Sequence, residues 1–353
     1  MSGVLDLVRP EIVALAPYSP AQWDPALVRL HANENPWRSA IDRTSAGLNR
    51  YPEPQSAALA AALAALYGVG PSQVTVGRGS DEGIDLLIRA FCAAGQHDIV
   101  ICPPTFAMYR FAAAVQGAGV VEVPLRAANG FSVDADAVIA ACSPATRLVF
   151  LCSPNNPTGN SLDGAAIERI VDALAGRALV VVDEAYVEFA AADSLVPLLG
   201  RYPNLAILRT LSKAFGMAGA RCGAVLASIE LTELLRRIVP PYAVTVQTIE
   251  AVLEALSPLR LDESRAQVER LRSERARVSA RLARLPRVTR VWPSEANFLL
   301  LQSADAGRLL AAGIRGGLLV RDVRSQPGLG DCLRITIGTP EQNDRLVTSL
   351  EAA

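Results

Sequence analysis

Lysine is almost absent from this sequence of 353 residues. Lysine and arginine together number 34, and 33 of these are arginine, so Lys213 is the only lysine. An arginine guanidinium keeps its proton at any working pH, whereas a lysine amine becomes a neutral nucleophile where its surroundings lower its pKa. Either a compositional bias left one lysine by chance or position 213 requires an amine, and the neighbouring residues decide between these interpretations.

Histidine is scarce, and closely spaced pairs of cysteines are lacking. His31 and His97 are the two histidines, which argues against a histidine metal site and against a Ser-His-Asp triad. The six cysteines form no Cys-x-x-Cys pair, so a zinc cluster is not expected. Several lie in apolar runs, and we predict that they are small buried hydrophobic residues: Cys92, Cys102, Cys142, Cys152, Cys222 and Cys332.

Excess charge and long apolar runs are absent too. The formal net charge is −1 at pH 7, which indicates neither a nucleic acid nor an anionic membrane as a partner. The first ten residues include Asp6 and Arg9 and do not resemble a signal peptide. The uncharged segment 55–77 is interrupted by glycine and proline, so it is not a membrane span. We therefore expect a cytoplasmic protein without nucleic-acid or membrane partners.

The order of helical and strand patterns predicts an α/β fold with a mostly parallel sheet. Continuous apolar runs of strand length are typical of strands buried on both faces by helices. Predicted strands lie at 74–76, 99–102, 120–123, 148–152, 179–182 and 205–208, and predicted helices at 56–67, 81–93 and 105–116.

The pattern changes after about residue 255. A long amphipathic helix is predicted over 261–285, followed by short strands and helices that indicate a smaller α+β domain. Ten arginines lie between residues 260 and 290, but interleaved glutamates favour a solvated helix face over a nucleic-acid site. We predict three parts: an N-terminal arm that also joins the small domain (1–45), a large domain (46–254) and a small C-terminal domain (255–353).

Residues typical of an anion site surround the lone lysine. Ser212 places a hydroxyl beside it, and Arg221 provides a planar fork suited to phosphate. Gly216 and Gly219 lie between them, where a backbone can pass close to a ligand. An amine, a hydroxyl and a guanidinium suit pyridoxal phosphate (PLP), whose aldehyde would bond to Lys213.

Two further candidates follow predicted strands, and ligands of parallel sheets bind beyond the carboxyl ends of the strands. The turn Gly79-Ser80-Asp81 begins a helix, with Ser80 as the expected N-cap. It either caps that helix or holds a phosphate on the free amides of the first turn. In the segment 153–159, Asn156 either belongs to a simple turn or donates its amide to an oxygen of the cofactor ring.

A carboxylate ends another apolar strand. Asp183 is costly to bury unless it is paired, and a protonated pyridine nitrogen is a suitable partner. Tyr186 would share the ring oxygen with Asn156, and Tyr109 either stacks on the ring or packs in the core. Arg321 and Arg334, both in apolar runs near the C terminus, either form routine ion pairs or hold a carboxylate or phosphate.

These motifs resemble those of the histidinol-phosphate aminotransferase family, which belongs to the fold-type I PLP-dependent transferases. The resemblance covers nearly the whole chain and rests on the stretches His31–Trp37, Arg50–Pro54, Arg78–Glu82, Cys152–Gly159, Asp183–Tyr186, Thr210–Phe215 and Leu333–Thr336. It implies a mostly parallel central sheet flanked by helices, a smaller α+β domain, and a homodimer with its active sites at the interface.

The resemblance also implies roles for individual residues. Lys213 would bond to PLP and move a proton, Asp183 would pair with the pyridine nitrogen, and Asn156 and Tyr186 would hold the ring oxygen. Tyr51 would reach the cofactor phosphate of the other subunit. The cofactor phosphate would be surrounded by Gly79, Ser80, Asp81, Thr210, Ser212 and Arg221, and the substrate site would be lined by Tyr18, Asn33, Tyr242, Arg321 and Arg334.

The implied activity is transamination between L-histidinol phosphate and 2-oxoglutarate in histidine biosynthesis, giving imidazole acetol phosphate and L-glutamate. Three alternatives stay open on these residues. They are an aromatic amino acid aminotransferase, a decarboxylase of a phosphorylated amino acid, and a PLP-sensing domain of a regulator. The last would carry a fused DNA-binding segment, and we expect none before the arm.

Overall fold

A seven-stranded, mostly parallel sheet lies at the centre of the fold in the computed structural model, which describes residues 3–16, 18, 24 and 26–353. The strands are β1 Val74–Gly77, β2 Asp98–Ile101, β3 Gly119–Glu122, β4 Thr146–Cys152, β5 Leu179–Asp183, β6 Leu205–Thr210 and β7 Gly223–Leu226. Their order is β1-β7-β6-β5-β4-β2-β3, and the neighbouring pairs are parallel except the two that include β7. The prediction of a mostly parallel sheet is confirmed.

Helices cover both faces of this sheet, which explains the continuous apolar runs. Side chains of successive strand residues point to opposite faces. In β5, Val180 and Val182 join one buried cluster, whereas Leu179 and Val181 join the cluster on the other face. Each fully buried aliphatic side chain stabilises the fold by about 1.5–3 kcal/mol, so both faces fix the register of the strand.

The four helices whose ranges were predicted, 56–67, 81–93, 105–116 and 261–285, begin and end within three residues of those positions. The α2 helix begins after Ser56, whose side chain accepts a hydrogen bond from the amide of Leu59, and ends at Gly68. The helices are α1 Pro10–Val13, α2 Ala57–Tyr67, α3 Ser80–Phe91, α4 Met108–Gln116, α5 Ala135–Ala141, α6 Gly164–Ala173, α7 Ile229–Ile238, α8 Val246–Ala255, α9 Pro258–Leu282, α10 Ala306–Arg315 and α11 Pro340–Glu351.

A smaller antiparallel sheet follows the long helix α9. Its strands are β8 Arg290–Val291, β9 Phe298–Gln302, β10 Arg321–Asp322 and β11 Cys332–Thr336, in the order β10-β11-β9-β8. The sheet packs with α9, α10 and α11 around a core that includes Val278, Leu299 and Leu333. The change of architecture lies where the sequence pattern changes, while the exact domain limits at 45 and 254 stay a prediction.

Two local details differ from the sequence-based expectation. Ser80 is the first residue of α3 rather than its N-cap, because Gly79 occupies the N-cap position with φ 86°. The arginines of α9 are not all solvated: Arg272 and Arg275 donate to the backbone oxygen of Phe189, and Arg275 also donates to that of Ala296. These two side chains tie α9 to the segment that follows Asp183.

The cysteine prediction is confirmed, because all six are buried and free. The N-terminal segment contributes Val4, Leu7 and Val8 to the buried cluster on one face of the large sheet. Within the described ranges, the helices lack the combination of length and apolar character that a bilayer crossing requires.

We expect Gly223→Ala to destabilise the protein by about 1–3 kcal/mol, because overpacking in a close-packed region forces backbone shifts. A methyl group at Gly223 would lie 2.6 Å from the carbonyl carbon of Gly79 and 2.7 Å from the amide of Ser80. Gly164→Ala is the matched control, since its methyl group would meet only Leu195 at 3.6 Å. Urea unfolding of both variants measures the effect, and equal stabilities would contradict this account of the packing.

Candidate active site

The strands of the large sheet end at a cavity of about 320 Å³. Most of its polar residues come from the carboxyl ends of β4, β5 and β6 and from the start of α3, while β10 and β11 approach from the smaller sheet. The cavity is lined by Ser80, Asp81, Phe106, Ala107, Cys152, Asn156, Asp183, Ala185, Tyr186, Thr210, Ser212, Lys213, Ala218, Arg221, Arg321, Val323, Gln326 and Arg334. Eleven of the predicted site residues are therefore brought together.

One end of the cavity is built for an anion. The first amides of α3 have no partner within the helix and carry its positive dipole end. Arg221 donates to the Ser212 hydroxyl at 3.4 Å and to Asp81 at 3.2 Å, and Thr210 donates to Ser212 at 3.0 Å. Gly79 adjoins this end, because a side chain there would lie 2.9 Å from an Arg221 nitrogen. A phosphate-sized anion would contact an arginine, hydroxyls and backbone amides.

The buried carboxylate of Asp183, which is 2% exposed, also lines the cavity. One carboxylate oxygen accepts a hydrogen bond from the Tyr109 hydroxyl at 2.7 Å, and the other accepts from the amide of Ala185 at 3.1 Å. Burial raises the pKa of Asp183 to about 6. A cationic group in the cavity would offset the cost of burying this charge.

The predicted position of Tyr109 on the face of the cofactor ring is wrong. Tyr109 is fully buried, stacks on Phe150 with ring centres 4.8 Å apart, and lies behind Asp183 rather than in the cavity. Phe106 lines the cavity instead. Both aromatic residues lie within five positions after Pro103-Pro104, and helix α4 begins only at Met108, so the loop before the helix faces the cavity while the helix packs on the sheet. The signal for Phe106 was its place in the loop between β2 and α4.

A network of polar groups connects the large and small sheets across the cavity. The amide of Asn156 donates to the Tyr186 hydroxyl at 3.5 Å, and the oxygen of the same amide accepts from Arg334. Burial raises the pKa of the Tyr186 hydroxyl, which therefore stays protonated. Arg334 keeps a buried Nε without a partner in the described structure. That nitrogen is a donor without an acceptor, on a side chain that lines the cavity.

Two arginines lie directly opposite each other in the smaller sheet, because Arg321 of β10 pairs in register with Arg334 of β11. Like charges at opposed positions destabilise an antiparallel pair. Both residues line the cavity. An anion bound between them would remove the repulsion, so this wall also has groups suited to an anion.

Lys213 lines the same cavity. It follows β6, and its Nζ is 5.6 Å from the centre of the Tyr186 ring. Burial lowers the pKa of Lys213, and the positive charges of Arg334 and Arg221 lower it further. The environment therefore favours the neutral amine, which is the nucleophilic form.

Three predicted residues lie in a different place. Asn33, Tyr51 and Tyr242 line a separate surface cavity of about 470 Å³, where the rings of Tyr51 and Tyr242 stack with centres 4.5 Å apart. Glu34 accepts from the backbone amide of Tyr51 at 2.7 Å and so holds that segment. Tyr18 is 67% exposed and lines neither cavity. Within one chain these four residues do not reach Lys213.

Comparison with known proteins decides the family. The model of the family "Aminotransferase class I and II" matches residues 28–350. The chain belongs to this family. Two curated relatives are histidinol-phosphate aminotransferases. The one from Xanthomonas euvesicatoria pv. vesicatoria is 47% identical over 354 residues, covering 99% of this chain and 97% of the relative. The one from Xylella fastidiosa is 48% identical over 352 residues, covering 98% and 96%.

A solved structure agrees with the fold of this aminotransferase. It is the histidinol-phosphate aminotransferase from Sinorhizobium meliloti in complex with pyridoxal-5'-phosphate, with a TM-score of 0.75 and 26% identity. The match covers 86% of this chain and 82% of that chain. The predicted fold-type I architecture and the resemblance to the histidinol-phosphate aminotransferase family are confirmed.

We expect Arg334→Gln to raise the pKa of Lys213, because the substitution removes a positive charge that disfavours the ammonium form. Since Lys213 is the only lysine, the rate at which an amine-reactive reagent labels its peptide reports this pKa without interference from other lysines. The pH midpoint of labelling, measured by peptide mass spectrometry, should move upward. Arg324→Gln is the control, because Arg324 pairs with Asp322 on the surface. Equal midpoints in both variants would contradict this electrostatic account.

Proposed function

We propose that this aminotransferase uses PLP to exchange an amino group between L-histidinol phosphate and 2-oxoglutarate, as part of histidine biosynthesis. The observation that carries the proposal is one cavity that contains the only lysine and two sets of residues suited to anions. The cofactor and both substrates are anions. The full-length similarity to histidinol-phosphate aminotransferases supports the choice of substrate.

The donor set fits PLP. Its phosphate suits the start of α3 with Ser212 and Arg221, its aldehyde suits Lys213, and its pyridine nitrogen suits Asp183, the buried carboxylate that lacks a cationic hydrogen-bond partner in the described chain. When bound, PLP withdraws the electron pair released as a proton leaves the carbon that bears the amino group. Phe106 also lines the cavity and would provide an aromatic side chain for contact with the ring.

The protein's own groups supply the proton transfer and the charge control. Lys213, with its lowered pKa, is the group that can accept and return a proton inside the cavity. Asp183 provides the negative charge that keeps a ring nitrogen protonated. Tyr186, whose hydroxyl stays protonated, and Asn156 can both donate to an oxygen on the ring.

The opposed arginines explain how one site serves two substrates. The phosphate of histidinol phosphate and the carboxylates of glutamate are all planar or tetrahedral oxyanions that guanidinium forks bind in a bidentate manner. Arg321 is exposed to the cavity mouth, whereas Arg334 is half-buried against Phe298. Either anion would relieve the repulsion between them.

We also infer that the enzyme is a cytoplasmic homodimer in which each active site takes residues from both subunits. The supporting observation is that Tyr51, Tyr242 and Asn33 form a polar pocket away from Lys213 of the same chain. Apolar side chains near this pocket are largely exposed, and covering them would stabilise an interface: Leu27, Val28, Leu30, Trp37 and Ile41. Six buried free thiols fit a reducing compartment.

A substrate panel tests the reaction directly. With PLP and 2-oxoglutarate, we expect glutamate formation from histidinol phosphate to exceed that from phenylalanine, and no release of carbon dioxide. Lys213→Ala should lower turnover about a thousandfold or more, because it removes the group that moves the proton. Lys213→Arg keeps the positive charge but cannot give up its proton, so it should lower turnover by a similar factor. Preferred turnover of phenylalanine, or carbon dioxide as the product, would identify one of the alternative reactions.

Subunit complementation tests the shared site. If Tyr51 serves the site of the other subunit, a heterodimer of Lys213→Ala and Tyr51→Ala contains one site with both native residues. Random mixing gives half heterodimers, each with one of two sites intact, so activity should return to about a quarter of the wild-type value. The separate variants, unfolded and refolded alone, are the control. No recovery on mixing would show that Tyr51 acts within its own chain or not at all.

A further inference from the structure

We propose that Tyr109 is a positioning residue for Asp183, and that its buried hydroxyl fixes the carboxylate and favours its ionised form at the place where a ring nitrogen binds. The inference rests on the proposed use of PLP, and it concerns a residue that touches neither the cavity nor a substrate. Three features of the structure support it: the geometry of the carboxylate, the rigidity of the tyrosine, and the charges around the pair.

Both oxygens of Asp183 accept a hydrogen bond from the protein. The Tyr109 hydroxyl lies 2.7 Å from one oxygen, and the amide of Ala185 lies 3.1 Å from the other. Two donors on different oxygens fix the plane of the carboxylate as well as its position. The remaining lone pairs are free for a cation in the cavity, where Asp183 forms part of the lining. Without the hydroxyl, only the Ala185 amide would hold the group.

The tyrosine ring cannot move easily. Tyr109 is fully buried in α4, stacks on Phe150 of β4 at an angle of 15°, and meets Phe106 edge-on with centres 5.7 Å apart. Phenylalanine would make the same ring contacts. Packing therefore explains the ring, while the hydroxyl donates to Asp183 at 2.7 Å and also lies beside the thiol of Cys152. The segment 106–109 thus supports the cofactor site twice, through Phe106 at the ring face and Tyr109 behind the carboxylate.

The surroundings of Asp183 disfavour its ionised form, and the hydrogen bond from Tyr109 favours it. Burial raises the pKa of Asp183 to about 6, and the Tyr109 hydroxyl opposes that rise. Burial holds the pKa of Tyr109 itself well above its usual value, so the hydroxyl remains a donor. The other titratable or charged groups that act on Asp183 or face it from neighbouring elements are Asp81, Cys152, Tyr186 and Lys213. Lys213 favours the ionised form, and Asp81 disfavours it.

The first test is the pH dependence of stability of the full-length protein without cofactor. The folded pKa of Asp183 lies above the ordinary 3.8, so the folded state binds a proton more tightly than the unfolded state. The stabilisation from this group is therefore lost as the pH rises from about 4 to about 6. Tyr109→Phe raises the folded pKa further, by about one pH unit or more, so the loss should continue above pH 6. The deficit of the variant relative to wild type should therefore be larger at pH 8 than at pH 5.

Tyr202→Phe is the matched control, because it removes a tyrosine hydroxyl that donates to a partly exposed carboxylate, Glu168, at 2.9 Å. Its deficit should be small and constant with pH. A Tyr109→Phe deficit that is equal at pH 5 and pH 8 would show a merely structural hydroxyl and overturn the proposal. If Tyr109→Phe does not fold, 3-fluorotyrosine at position 109, a stronger donor of the same shape, should shift the profile in the opposite direction.

The second test uses PLP labelled with ¹⁵N in the ring. In the wild-type protein the nitrogen signal should be that of the protonated ring, and in Tyr109→Phe it should move toward the unprotonated ring, since the proton shifts to a more basic Asp183. An unchanged signal would contradict the proposal. If the wild-type protein bound no PLP, the proposed function would fail, while the cofactor-free pH profile would still decide the role of Tyr109.

Discussion

A buried carboxylate at the end of a central strand is the constraint on which the site depends. Asp183 terminates β5, the middle strand of the large sheet, and has almost no contact with solvent. Its burial requires donors behind it and a positive group in front of it. Tyr109 and the Ala185 amide supply the donors. The cavity that Asp183 and Lys213 both line is where the positive group would bind.

The arginines of the site are also held in unfavourable arrangements. Arg321 and Arg334 lie opposite each other on the paired strands β10 and β11, and Arg221 adopts a left-handed backbone conformation with φ 54°. Each arrangement is unfavourable on its own, by about 1–3 kcal/mol for the backbone strain. The folded core can support such groups because apolar side chains cover both faces of the large sheet. Bound anions would then recover part of the cost, which couples the stability of the site to its ligands.

Much of this arrangement could be predicted from the sequence, for identifiable physical reasons. Strands buried on both faces are apolar along most of their length, so β4, β5 and β6 are visible as apolar runs. The lone lysine near a serine and an arginine is evident in the sequence itself. Tyr109 was misplaced because Phe106 and Tyr109 are three residues apart, and only the start of α4 decides which ring faces the cavity. The position of Tyr51 follows from the resemblance alone, because its proposed site is completed by another copy of the chain.

The most direct test is a crystal structure of the protein with PLP. We expect the phosphate at the start of α3 beside Ser212 and Arg221, the ring against Phe106, and the pyridine nitrogen within hydrogen-bonding distance of Asp183. Lys213 should be bonded to the cofactor. A cofactor bound with its ring nitrogen away from Asp183, or with its phosphate between Arg321 and Arg334, would contradict the account.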